Sequence, residues 1–195
     1  SGWHADEKVG NVTEQPNLLI DPRVSEAAAV LSRMGLSLDC WLYHPQLDEV
    51  AQLADAHPGL TIILNHVGSP ILGGPYRGKT DEVFKVWKAA ITRVSNHNNV
   101  FIILGAMPIR MPGFEGDRSL PPGSAEVAAA WRPWMETCIE AFGPARSMYE
   151  SNFPVQKRWC SYQVCWNAFK RISASASACE KADLFAGAAA RAYRL

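Results

Sequence analysis

Residues 61–70 read Thr-Ile-Ile-Leu-Asn-His-Val-Gly-Ser-Pro. The run 61–64 is β-branched or apolar at every position, with no polar alternation. A strand covered by helices on its faces has this composition, because neither face meets water. Asn65 and His66 then fall at the C-terminal end of that strand, and residues 68–78 form a loop rich in glycine and proline.

The same unit recurs on both sides. Upstream, an apolar strand over 36–43 closes on His44-Pro45. A helix over 46–56 follows, with Leu47, Val50, Leu53 and Ala54 on one face, and Pro58-Gly59 stops it. Before that strand, Asp21 caps a helix that has Pro22 at its first position and Gly35 past its end. Ala27, Ala28, Leu31 and Met34 make its predicted apolar face.

Downstream, Thr80 caps a helix over 81–95 carrying Val83, Phe84, Trp87, Ile91 and Val94 at helical spacing. A third strand occupies 100–104, and a long loop rich in proline and glycine fills 107–123. Ser124 caps the next helix, with Val127, Trp131, Trp134, Cys138 and Ile139 inward, and Pro133 is expected to kink or split it. A fourth strand covers 147–153. Helices follow over 162–172 and 178–193, the second opened by a capping box of Ser177 and Glu180.

Strands alternating with helices predict an α/β fold with a parallel sheet. The chain reads as one domain, with an irregular lead-in over 1–20 and the βα units over 21–195. Four such units fit half of a (β/α)8 barrel or a small open doubly wound sheet.

Bulk properties narrow the function. Nineteen basic and nineteen acidic side chains cancel among 195 residues, which argues against a nucleic-acid partner. No apolar run approaches the ~20 residues of a membrane helix, and no secretory leader opens the chain. The five cysteines have no CxxC spacing, so reduced thiols and a cytoplasmic location are expected. The chain opens on Ser1 rather than Met, which fits a tag scar or a start inside a domain.

In a parallel α/β fold, chemistry gathers at the C-terminal ends of the strands. Those ends carry His44, then Asn65-His66, then Gly105-Ala106, then Ser151-Asn152. Two histidines at consecutive strand ends are the catalytic candidates, since imidazole moves protons, polarises carbonyls and binds metals. Tyr76 in the glycine-rich loop and Arg110 in the long loop are the substrate-binding candidates. Gly73-Gly74-Pro75 reads as a lid hinge, because phosphate-loop fingerprints are absent. His57 reads as a helix-end cap or surface residue and His97 as a solvated turn residue, both on the opposite face. The place of His4 is open. Trp87, Trp131 and Trp134 read as core, whereas Asp39 and Glu150 are carboxylates inside strands whose partners spacing does not assign.

At these strand ends the chain resembles the amidohydrolase-2 family of TIM-barrel hydrolases. The matching pieces are LDCWLYHPQL (38–47), TIILNHVGSP (61–70), the strand at 100–105 and MYESNFPV (148–155). The stretch 131–155 reads like that family's last helix and eighth strand. The resemblance runs from about residue 18 to Leu195 and implies the C-terminal half of a barrel, about four parallel strands with helices, and hydrolysis of a C–O or C–N bond in a small lactone or amide.

By that resemblance His44 matches strand five, His66 matches strand six, and Asn152 stands where an aspartate is usual on strand eight. The departures are equally specific. An HxH pair is missing, Gln156 replaces an acid, and Ile103 replaces a lysine. A divalent metal such as zinc would bind His44 and His66, yet zinc usually takes at least three protein ligands. The resemblance therefore leaves either a metal or none. In the metal-free form His66 would polarise the carbonyl or activate water, His44 would orient substrate, and Asn152 would donate a hydrogen bond.

A half-barrel also implies open strand edges and an inner face without an opposite wall. Self-association, or pairing with a missing N-terminal half, is the expected consequence. The alternative to a small-molecule hydrolase is a non-catalytic half-barrel remnant with a binding or assembly role. A nucleotide-binding sheet is weaker, since no phosphate loop follows any strand.

Overall fold

A computed structural model describes residues 2–107 and 121–195. Among them, four strands form one parallel sheet in sequence order, β1 (Ser37–Cys40), β2 (Thr61–Leu64), β3 (Val100–Leu104) and β4 (Ser147–Tyr149). The register pairs Cys40 with Leu64, Leu64 with Ile102, and Leu104 with Tyr149. All strand C-termini therefore open on one side. Helices α1 (Pro22–Arg33), α2 (Leu47–Ala56), α3 (Thr80–Ser95), α4 (Ser124–Phe142) and α5 (Tyr162–Ile172) join and follow the strands.

Period-two alternation splits the strand residues between two layers. Ile62, Leu64, Val100, Ile102 and Leu104 face the helices and build the main core with Trp87, Trp131 and Phe169. Ile63, Ile103 and Met148 face the other way. The sequence implied a bare wall there. The structure instead lays the C-terminal helix across it, and Ala188 and Ala192 of α7 (Ala188–Tyr193) bury all three strand residues. Alanines suit the task because their small side chains let the helix lie close to the sheet. Tyr193 ends this helix by donating its hydroxyl to Asp39 Oδ1 at 2.9 Å, giving that strand carboxylate its partner.

The final helix also departs from the expected single span. The capping box of Ser177 and Glu180 opens α6 (Ala178–Ala182) as expected. A π turn over Asp183–Gly187 then precedes α7, and Asp183 pairs with Arg191 at 2.7 Å across it.

Three further expectations are corrected. The first strand ends at Cys40 rather than Tyr43, because Gln46 draws the Tyr43 N–H toward its side chain and the backbone turns into a 3-10 turn over His44–Gln46. Helix α4 runs unbroken through Pro133. Burial of Trp131, Trp134, Met135 and Cys138 along one face offsets the hydrogen bond that proline removes. Met34 caps α1 and stays exposed, outside the face of Ala28 and Leu31.

Among the described residues β1 and β4 each pair on one side only. No described helix is long and apolar enough to cross a membrane.

Candidate active site

A cavity of about 610 Å³ lies at the C-terminal ends of the strands. Trp41, His66, Ser69, Ala106 and Asn152 line it. The backbone there is held in an uncommon state. His66 and Val67 after β2, Ala106 after β3 and Asn152 after β4 all have positive φ, between 50° and 58°. Such conformations cost about 1–3 kcal/mol each for ordinary residues and gather where the surroundings must aim side chains.

His66 has a partner that spacing did not assign. Its Nδ1 lies 2.7 Å from Oε1 of Glu150, with the two side chains 22% and 30% exposed. Both atoms are enclosed, and neither makes an aligned hydrogen bond among the described residues, so the pair is a close N···O contact. Because Leu104 pairs with Tyr149, Gly105 sits beside Glu150 across the strand ends. A Cβ at position 105 would collide first with the Glu150 carbonyl oxygen and would lie 2.6 Å from its Cγ, so only glycine lets the two strand ends run this close. With Nδ1 against Glu150, Nε2 is the ring nitrogen left for the cavity. Ser69 Oγ is also enclosed and makes no hydrogen bond among the described residues.

His44 is not brought to the cavity wall. It is 4% exposed, its Nδ1 accepts the Ile71 N–H at 3.2 Å, and its ring meets the Tyr76 ring edge-on at 5.1 Å. Tyr76 is turned to the same cluster, its hydroxyl 3.0 Å from His4 Nε2. Arg110 lies outside the described residues. Of the sequence candidates, the structure brings His66 and Asn152 together in one cavity.

Burial, with a smaller contribution from the nearby His4, pushes the His44 imidazole down to about 4 from its ordinary 6.5. The unfolded chain thus takes up this proton before the folded one does, and acid favours unfolding. The contribution is complete above about pH 6.5, shrinks as pH falls, and is gone near pH 4. The loss is on the order of 3 kcal/mol. Urea unfolding at pH 7 and pH 4.5 should show a steep fall in stability for the native chain and a flatter one for His44→Gln. Parallel pH dependences would mean that another group carries the effect.

The lead-in is tied down by polar groups whose pairing no local pattern shows. Gln46 Oε1 accepts the Trp3 N–H at 2.8 Å, buried Glu49 accepts the Leu19 N–H at 3.1 Å, and the Tyr43 hydroxyl donates to the Gly10 carbonyl. The segment reaches the cavity, and Lys8, Val9 and Gly10 complete its wall. Gly74 lies beside Lys8 with φ of 54°, a left-handed conformation that suits glycine. Elsewhere His57 caps α2 and meets Ser25 Oγ at 2.8 Å. His97 is not solvated as expected. It bridges the Val94 carbonyl and Asp55, 3.1 and 3.0 Å away, and its side chain is 17% exposed.

Among the described residues no three His, Cys, Asp or Glu side chains gather as metal ligands. With His66 Nδ1 against Glu150 and His44 behind the wall, these side chains do not by themselves fit a zinc site, which usually takes at least three protein ligands.

Comparisons with known proteins agree with this architecture. The amidohydrolase family profile matches residues 11–195. The uncharacterized protein y4mH of Sinorhizobium fredii is 32% identical over 181 residues, covering 93% of this chain and 54% of that protein. An L-fucono-1,5-lactonase of Burkholderia multivorans is 27% identical over 176 residues, covering 90% of this chain and 57% of the lactonase. This chain thus spans little more than half the length of these relatives. A crystal structure of a Burkholderia multivorans amidohydrolase with bound zinc superposes with a TM-score of 0.79 at 24% identity, over 93% of this chain and 62% of that one. An amidohydrolase from Bifidobacterium longum subsp. infantis gives 0.62 at 20% identity, covering 92% and 58%. The described strands and helices are therefore part of a (β/α)8 barrel, and the chain belongs to the amidohydrolase family.

Proposed function

We propose that this chain supplies the base-bearing side of a hydrolytic site that opens a small lactone. One observation carries the reading: His66 and Asn152, from two strand ends, line a single cavity of about 610 Å³. That volume suits a small molecule. The likeness to an L-fucono-1,5-lactonase favours a lactone C–O bond over an amide.

In this reading His66 Nε2 takes a proton from water as the water oxygen attacks the lactone carbonyl carbon. The Asn152 side-chain amide donates to the oxyanion that forms. The intermediate then collapses, the ring C–O bond breaks, and the imidazolium returns its proton to the departing alkoxide. A hydroxy acid leaves, and His66 is neutral again. Five free cysteines, four of them buried, accord with a reducing cytoplasmic setting. The test is acid release from a panel of aldono-1,5-lactones and matching amides, followed with a pH indicator. Lactone hydrolysis above the buffer rate is expected, and rates equal to buffer across the panel would end the proposal.

A second reading, assembly, has its own observation. Sheet edges β1 and β4 are open among the described residues, and Val30, Met34 and Leu36 are exposed on α1 and the turn into β1. Open edges and exposed apolar groups favour pairing with a second copy or with the rest of a barrel. Light scattering on the isolated chain should give a dimer or larger species. A monomer with a cooperative, high-melting transition would remove this reading.

A further inference from the structure

We infer that Glu150 is a positioning residue that fixes the tautomer of His66. The inference rests on the reading of His66 as the base, and it adds what makes that imidazole competent.

The argument begins with what each atom can do. A carboxylate oxygen only accepts hydrogen bonds, whereas a neutral imidazole has one N–H donor and one lone-pair acceptor. Glu150 Oε1 and His66 Nδ1 stand 2.7 Å apart and enclosed, a close contact without the alignment of a full hydrogen bond, and neither has a hydrogen-bond partner among the described residues. At that distance only a proton on Nδ1 makes the contact attractive. The lone pair must then sit on Nε2, the nitrogen left for the cavity, which is the state a general base requires. The opposite tautomer would set two lone pairs against each other across 2.7 Å and present an N–H to water.

The surrounding backbone is built for this contact. Gly105 leaves the space that the Glu150 backbone and side chain occupy, since a Cβ there would collide with the Glu150 carbonyl oxygen and lie 2.6 Å from Cγ. His66 at φ 58° and Asn152 at φ 51° hold the two strand ends that flank the pair. When Nε2 takes up a proton, the carboxylate also faces the new positive charge and steadies it without accepting a proton itself.

The experiment reads the tautomer directly. Two-bond proton–nitrogen spectra of the 15N-labelled chain, with the His66 ring assigned by its loss in His66→Gln, should show His66 protonated at Nδ1 and bare at Nε2. In Glu150→Ala the two nitrogen signals should exchange character. Glu150→Leu keeps most of the volume and should do the same, which guards against a collapse specific to alanine. On a lactone substrate the same variants should lower kcat about 10–100-fold with KM little changed, as loss of a ligand-orienting partner does. A native His66 protonated at Nε2, or a tautomer unmoved in both folded variants, overturns the inference. A tautomer exchange in a chain that hydrolyses no lactone leaves the positioning role standing and removes only the catalytic reading.

Discussion

Exchanging His66 for asparagine is expected to lower kcat on a lactone by about two to four orders of magnitude, the range for removing a general base. Asparagine is the informative replacement because of the backbone. His66 sits at φ 58°, a region that asparagine enters more readily than most residues. The turn after β2 should therefore survive, so the lost activity reports chemistry and not unfolding. His66→Ala is less clean. It removes the nitrogen that the enclosed Glu150 Oε1 contacts, and an unsatisfied buried acceptor costs about 1–3 kcal/mol. Steady-state kinetics beside urea unfolding of both variants separates the two effects. A folded His66→Asn chain that loses less than about tenfold in kcat would take His66 out of the role of base.

The contrast between what the sequence disclosed and what it hid follows from physical range. Strand β2 was legible because its residues are β-branched or apolar at all positions and show no polar alternation, and α3 because its apolar positions recur at helical spacing. The strand-end position of His66 came with them. The contact of His66 with Glu150 spans 84 positions and depends on Gly105 from a third strand, so no local pattern encodes it. Period two gave no clue either, since β4 ends at Tyr149 and Asn152 has left the strand conformation at φ 51°. His44 looked equivalent to His66 because both follow apolar strands. They diverge through tertiary neighbours, Ile71 and Tyr76, which enclose one ring while the other lines the cavity. The inner face was misjudged for a related reason. Ala188 and Ala192 carry little hydrophobic signal, and their value as a close-fitting cover shows only against Ile63, Ile103 and Met148.

The largest expected loss of stability is at Trp87. The side chain is fully buried in α3, with ring contacts to Phe84 at 5.4 Å and Trp134 at 4.7 Å. Its Nε1–H donates to the Val67 carbonyl at 2.7 Å. Trp87→Ala should cost about 3–5 kcal/mol, as deletion of a large buried aromatic does. Trp87→Phe keeps most of the packing and removes the donor, for about 1–3 kcal/mol. That smaller change also bears on the site. Val67 is β-branched at φ 50°, a state that persists only where the surroundings over-determine it. The Trp87 bond is one such restraint, applied one residue from His66. Trp87→Phe should therefore lower kcat as well as stability, and urea unfolding paired with lactone kinetics measures both. If stability falls while kcat holds, the strand end keeps its shape without the indole, and the burial of Val67 against Trp87 and its neighbours is the restraint that matters.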